Sequence, residues 1–282
     1  MKRLFQRSLT VLSLAYLLLL SLVMSAPVGA ASLYETSLKM LEAKLTTASP
    51  DDFTFVVMGD SRDNDPAFHK TLKMIKALKP LFVLHGGDIV NRGCKEEIDR
   101  FLEMIKKTSP DMPIFVVIGN HEICSRAKDR AEEKRYFEEH VAPLNYVVDL
   151  KPLNTRVVML DNADYALNAS QLSYLKMKLA PDRRHQFVAM HVPPATGRWF
   201  FHTFKKGAPE LIQILADKKV DSAFFSHLHL YDEMEVRGVR YILTGGGGAP
   251  LTPLGFGYAG YHVVVVTVKN GQVTTQMMAV DH

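Results

Sequence analysis

The sequence is short of cysteine. Cys94 and Cys124 are its two cysteines in 282 residues, and they lack CxxC spacing. Two thiols cannot build a disulfide framework, so the chain must fold on a hydrophobic core, for which its length is ample. Net charge is also scarce. The formal value is +4, but Lys2, Arg3 and Arg7 are three of the 34 basic residues and no acid precedes residue 33. Setting those three aside leaves 31 basic against 30 acidic residues. A body so near neutrality has no electrostatic footprint for nucleic acid, and no such partner is expected. Long apolar runs are missing beyond the N-terminus: Val263-Val264-Val265-Val266 is short and β-branched, the mark of a strand. No internal repeat, low-complexity tract or Pro/Gly/Ser-rich linker divides the body.

What is present first is a leader. Lys2, Arg3 and Arg7 form a positive segment, Leu9 to Met24 is apolar and leucine-rich, and Pro27, Gly29, Ala30, Ala31 and Ser32 supply small residues for cleavage. This reads as a secretory signal peptide over residues 1–31, and the protein is expected to be exported: secreted, periplasmic or held in the cell envelope. Membrane attachment follows only if the leader stays uncleaved. Residues 32–52 carry a helical stripe, Tyr34, Leu38, Leu41 and Leu45, either a helix packed on the body or a spacer.

From residue 53 the pattern alternates. Apolar strands are expected at 53–58, 81–84, 114–118, 157–160, 187–190 and 223–225. Helices are expected from Asp65-Pro66 onward and at 95–107, 127–140, 170–179 and 210–216. After His229 come strands alone, at 233–236, 241–243, 261–268 and 273–278. The first part implies a mainly parallel sheet covered by helices, and the last quarter implies strands that complete a second sheet.

The polar residues after five of these strands carry the chemistry. They read Gly59-Asp60, Gly86-Gly87-Asp88, Gly119-Asn120-His121-Glu122, His191 and Ser226-His227-Leu228-His229. Carboxyl ends of parallel strands share one edge of a sheet, where open α/β folds place their ligands. Aspartate, asparagine and imidazole together suit Mn, Fe or Zn better than calcium, which takes oxygen alone. His69, His85, His140, His185, His262 and His282 lie outside the pattern.

The series GD, GGD, GNHE, H, SHLH resembles the calcineurin-like metallophosphoesterases, the superfamily of purple acid phosphatases and Ser/Thr protein phosphatases. The resemblance runs from Phe53 to the C-terminus, giving a domain of residues 53–282. It implies an α/β fold, a two-sheet β-sandwich flanked by helices in four αββα layers, and two metal ions. Asp88 matches the carboxylate shared by both ions. Asp60 and His229 would serve one ion, and Asn120, His191 and His227 the other. His121 matches the histidine beside the leaving group. "GDIVNRG" resembles the protein-phosphatase motif, so Arg92 would hold a phosphate oxygen. The implied activity is hydrolysis of a phosphate mono- or diester, on a small-molecule or envelope-associated substrate. Two cations offset the phosphate charge and activate water.

One position departs from the family. In "VVMGDSRDND" the family's usual histidine is Arg62, which has no lone pair for a metal. Asp60, Asp88 and His229 are then left to that ion, with Asn64 as a further donor nearby. Arg62 is expected either to face the substrate phosphate or to pair with Asp63 or Asp65. The departure keeps a second reading open, a non-catalytic or weakly active member that binds through a degenerate site. The segment "ATGRWFFHTFKKG" offers Arg198 and His202 as substrate-facing residues or packs as a surface loop. "TGGGGAPL" is a flexible loop without the lysine of a P-loop. Cys94 and Cys124 each follow a strand-end motif, which makes them a candidate disulfide pair.

Overall fold

Helix α1 (Leu33–Leu45) starts where the sequence offers a cap. The Ser32 hydroxyl accepts from the Glu35 N–H, and the Glu35 carboxylate accepts from the Ser32 N–H. The buried Ser37 hydroxyl then donates to the Ile114 carbonyl and accepts from the Ile114 N–H, both at 2.9 Å. Ile114 opens an edge strand, so α1 is part of the body and covers a sheet edge that would otherwise stand open.

The computed structural model describes residues 31–123 and 130–281. The leader, apart from Ala31, lies outside them. So does Cys124, and with it the proposed bridge; Cys94 is exposed and has no disulfide partner among the described residues. Residues from Ser32 onward form one unit.

Among the described residues eleven strands make two sheets. The first has the order β11-β10-β1-β2-β3, with β1 (Asp52–Met58), β2 (Val83–His85) and β3 (Ile114–Val116) parallel, and β10 (His262–Lys269) and β11 (Gln272–Ala279) antiparallel beside them. The second has the order β4-β5-β6-β7-β9-β8. Its β5 (Thr155–Met159), β6 (His185–Ala189), β7 (Ser222–Phe225) and β9 (Val239–Thr244) are parallel, and β4 (Tyr146–Leu150) and β8 (Tyr231–Val236) form antiparallel edges.

Strand alternation explains why the sheets stack. In β6, Phe187 and Ala189 join one core while Val188 joins another, and Phe224 of β7 and Ile242 of β9 repeat the split. The first core lies between the sheets and reaches α1, α2 (Asp65–Leu78), α3 (Lys95–Thr108) and α4 (Arg130–His140) through Leu41, Leu72, Phe101 and Phe137. The second packs α5 (Ala169–Lys178) and α6 (Ala208–Asp217) on the outer face through Leu175, Leu211 and Leu215. Helices, two sheets and helices give the four layers.

Two expectations need correction. The C-terminal strands do not all complete the second sheet. β8 and β9 do, but β10 returns to β1, with Phe55 opposite Val266. Both faces of β10 meet protein, which its valine run allows. Strand β4 is the second. It buries Tyr146, Val148 and Leu150 on alternate positions, a short edge strand absent from the expected set.

Phe55 couples the sheets. It is fully buried, stacks on Phe82 at 4.8 Å and meets Phe187 of the second sheet edge-on at 5.1 Å. Phe55→Ala is expected to lower unfolding free energy by about 3–5 kcal/mol in a denaturant titration. A loss under about 1 kcal/mol would mean that this core refills the space.

Candidate metal centre

The strand ends expected to share one sheet edge instead meet across the sandwich. Asp60, Asp88 and Asn120 follow strands of the first sheet, and His191, His227 and His229 follow strands of the second. The two edges touch through Ser226. A Cβ on Gly59 or on Gly86 would lie 2.0 Å from the Ser226 Oγ, so glycine is required at both turns. Backbone bonds from Asp60 N–H to the Gly87 carbonyl (3.0 Å) and from Ser61 N–H to the Asp88 carbonyl (3.1 Å) hold the turns side by side. Asp60, Asp88 and His227 adopt left-handed backbone, φ 56°, 55° and 72°. Such strained conformations in non-glycine residues gather at functional sites.

Two overlapping ligand sets result. Asp88, His191 and His227 form one and Asp60, Asp88 and His229 the other, with donor atoms within 4.8 Å of one another in each set. Asp88 is common to both. Asn120 joins the first set, its Oδ1 being 3.0 Å from His191 Nε2. The His191 Nε2 also stands 3.2 Å from Asp88 Oδ1 and 3.2 Å from His227 Nδ1. Every imidazole has its other nitrogen occupied. His191 Nδ1 donates to the Gly86 carbonyl (2.7 Å), His229 Nδ1 donates to the Pro250 carbonyl (2.6 Å), and His227 Nε2 meets the Tyr165 hydroxyl (3.0 Å). This leaves one lone pair on each ring for the centre. Asp60 Oδ1 and Asp88 Oδ2 are buried without a hydrogen-bond donor. Convergent imidazole nitrogens and unpaired carboxylate oxygens fit a divalent cation.

The electrostatics agree. Burial alone would raise the Asp88 pKa, but His191 and then His121 hold it well below the usual carboxylate range. Burial alone would lower His191, but Asp88 outweighs it and raises the imidazole to about 9. Burial, then the charge on His191, pushes His227 down to about 2. The bare cluster therefore keeps a proton on His191, facing the oxygens that a cation would take.

Around the centre, His121 lies in the GNHE turn, its N–H donating to Asp88 Oδ1 (2.9 Å) and its Nδ1 to the Asn91 carbonyl (2.7 Å). Its Nε2 lines the cleft and, like the Arg62 Nε, faces Asp88 Oδ2, at 3.9 Å. Arg62 is mostly buried. Its Nη1 pairs with Asp63 and lies 3.4 Å from Asn91 Oδ1, and its Nε faces Asp88 Oδ2 at 3.6 Å. Asp65 pairs with Arg100 at 3.9 Å, and Asn64 caps α2 through the Ala67 N–H and donates to the Tyr261 hydroxyl, so neither enters the ligand sets.

A cleft of about 280 Å³ opens over the centre, with Arg62, His121, Tyr165, Phe201 and His202 in its walls. Arg92 and Arg198, expected at the substrate, are not in its lining. Arg92 is exposed on the loop, where its backbone N–H donates to Glu97 Oε2 at 2.8 Å. Arg198 is claimed by Asp232. Its Nε and Nη2 hold both carboxylate oxygens at 2.6 and 2.7 Å, and Trp199 Nε1 adds a third bond at 2.8 Å. A carboxylate as buried as Asp232 needs such a partner, and this use of Arg198 anchors the aromatic loop.

Several contributors escaped the sequence reading. Glu122 lies wholly buried and accepts from the N–H groups of Gly119, Asp88 (2.9 Å), Ile89 (2.8 Å) and Val90 (3.3 Å), tying the second and third strand-end turns together. Burial, then Asp88, pushes its pKa up to about 8 against those N–H bonds. Asn162 accepts from the His191 and Val192 N–H groups at 3.1 and 3.0 Å. Asp161-Asn162 follows strand β5, so the strand-end rule applied to residues 157–160 would have pointed to this pair. His85 is no ligand but a support: its Nδ1 accepts from the Gly87 N–H (3.2 Å) and its Nε2 reaches Ser61 Oγ (3.0 Å). Tyr165 carried no local signal.

With that geometry in hand, known proteins give a consistent comparison. The family model described as "Calcineurin-like phosphoesterase" matches residues 53–231. A curated relative, the "Probable glycerophosphodiester phosphodiesterase GpdQ" of Arcobacter nitrofigilis, is 32% identical over 126 residues, 42% of this chain and 44% of its own. Among solved structures, purple acid phosphatase PPD1 from yellow lupin (Lupinus luteus) seeds superposes with TM-score 0.66 and 17% identity, over 81% of this chain and 51% of that one. GAP50 of Plasmodium gives TM-score 0.63 and 14% identity, over 82% and 85%. The chain thus spans about half the length of the phosphodiesterase and phosphatase it matches. At such identities the structures speak for the fold, and the family model, which takes in every ligand position from Asp60 to His229, speaks for descent: the chain belongs to the calcineurin-like phosphoesterases.

Proposed function

We propose that the chain is an exported, metal-dependent phosphoester hydrolase acting on a small phosphate mono- or diester. The observation that carries this reading is the meeting of two ligand sets on one carboxylate, Asp88, beneath a cleft that His121 also faces. Asp88, Asn120, His191 and His227 would hold one ion, and Asp60, Asp88 and His229 define a second position. A bound cation would offset phosphate charge and lower the pKa of a coordinated water. The chain's own groups do the rest. His121, oriented by the Asn91 carbonyl, presents Nε2 to the departing oxygen and supplies its proton. Tyr165 and Asn162 keep His227 and His191 in the required orientation. His202 and Phe201 bound the side of the cleft where the rest of the substrate lies. A diester is favoured as the first substrate to try, by the name of the curated relative. Export is supported by Lys2, Arg3 and Arg7 ahead of the apolar leader; among the described residues no helix is long and apolar enough to cross a membrane.

The direct test is a panel of aryl mono- and diesters and glycerophosphodiesters, run on the purified chain without its leader, with Mn, Zn or Fe added. Turnover that appears with metal and stops with chelator is expected. A chain that binds metal tightly but turns over no member would instead support the binding-protein reading, which Arg62 keeps open. Two variants sharpen the assignment. Asp88→Asn is expected to abolish turnover and lower bound metal together; full activity with full metal would remove Asp88 from the centre. His121→Ala is expected to slow turnover by about 10²–10⁴-fold while metal content holds. If metal falls in step with rate, His121 is a structural part of the centre.

A further inference from the structure

The two ligand sets are unequal, and the inequality has a charge attached to it. The set of Asp88, Asn120, His191 and His227 offers four donors, with His191 Nε2 3.0–3.2 Å from each of the other three. Four donors are enough to hold a borderline divalent ion firmly while a further position stays open to water or substrate. The set of Asp60, Asp88 and His229 offers three. Beside it stands Arg62, with 12% of its side chain exposed. A guanidinium has donors but no lone pair, so it cannot ligate. It can, however, be the cation.

The hydrogen-bond account points the same way. Arg62 Nε and Asp88 Oδ2 are both buried and both without a partner, and they face each other at 3.6 Å. A closure of a few tenths of an ångström satisfies both. An ion drawn onto Asp88 Oδ2 would take that acceptor away and strand the buried donor.

We propose that this chain holds one ion tightly, in the set of Asp88, Asn120, His191 and His227, and that Arg62 supplies the positive charge at Asp88 Oδ2 in place of a tightly bound second ion. The proposal rests on the metal-centre reading above and adds to it a stoichiometry. Arg62 is then a built-in cation at the cleft wall, and the reaction runs with one bound ion.

The test is metal analysis of the leaderless chain after loading with Mn and dialysis, together with electron paramagnetic resonance. One equivalent and an isolated-ion spectrum are expected for the wild type. Arg62→His replaces the cation by a lone-pair donor and is expected to hold two equivalents, with a spin-coupled spectrum. Arg62→Lys keeps the charge and is expected to stay at one. Two equivalents in the wild type, or one in a folded Arg62→His, would overturn the proposal. Should the variants not fold, the wild-type count still decides it. No tight ion in the wild type would be a different result, since it removes the metal-centre reading itself.

Discussion

The site depends on one buried carboxylate. Asp88 is fully shielded from solvent at the end of β2, and an ionised carboxylate there is costly unless it is matched. Its neighbours supply the match from every side. The His121 N–H and His191 Nε2 meet Oδ1, and the Arg62 Nε faces Oδ2. Each comes from a different strand-end turn. Satisfying Asp88 therefore requires three turns and both sheets to be in place at once. Glu122 adds to the demand, because its carboxylate is buried beside Asp88 and spans the same turns by accepting backbone N–H groups. Two carboxylates this close, with burial and Asp88 pushing Glu122 to about 8, leave a region that calls for positive charge. Arg62 answers that call with a charge fixed by the sequence, and a cation in the ligand sets would answer it with a bound one.

The amino-acid sequence made the ligands legible because their signal is local: an apolar run that ends in a donor side chain, behind a glycine at Asp60, Asp88 and Asn120. That rule placed Asp60, Asp88, Asn120, His191, His227 and His229, and the structure brings all six together. The same rule points to Asp161-Asn162 after β5. What stayed hidden depends on partners distant in sequence. Nothing near Arg198 reveals that Asp232, buried on β8, will claim it. Nothing in the valines of β10 states whether they pair with β1 or with β9. The convergence on one sheet edge was a fair deduction from parallel strands, but the ligands divide between two sheets. Only the alternation within β5, β6, β7 and β9, read as burial on both faces, carries that information, and it looks the same in a single covered sheet.

The aromatic loop shows how one arginine can be consumed by structure. Residues 195–204 are pinned at their base, where Ala195 N–H donates to the Phe204 carbonyl (2.8 Å) and Phe204 N–H donates to the Pro193 carbonyl (3.0 Å). Trp199 is buried in the outer core, and its indole shares Asp232 with Arg198. With Trp199 and Phe204 anchored, Phe200 and Phe201 are left exposed, at 72% and 54%, and Phe201 and His202 form one wall of the cleft. Arg198 thus acts on the cleft through the placement of its neighbours, not through a charge offered to substrate.

The division of ligands between sheets ties chemistry to core packing. Asp60, Asp88 and Asn120 move with the first sheet, and the three histidines with the second. The distance between the sets is therefore the distance between sheet edges. Two features fix it. Ser226 fits against Gly59 and Gly86 so closely that neither can carry a side chain, which sets the contact at the edge. Phe55, Phe82, Phe187 and Phe224 fill the space behind it, which sets the tilt. A close-packed interior resists small adjustments, so a shift in that aromatic cluster has no soft direction except toward the open end, where the ligands are. The His191 ring is tied to both sheets, as is the His227 N–H that donates to Asp60 Oδ2 at 2.8 Å. The His191 Nδ1 is bound to the Gly86 carbonyl of the first sheet while its backbone belongs to the second. That hydrogen bond spans the seam, and it is the one that turns the ring's remaining nitrogen toward Asp88 and Asn120.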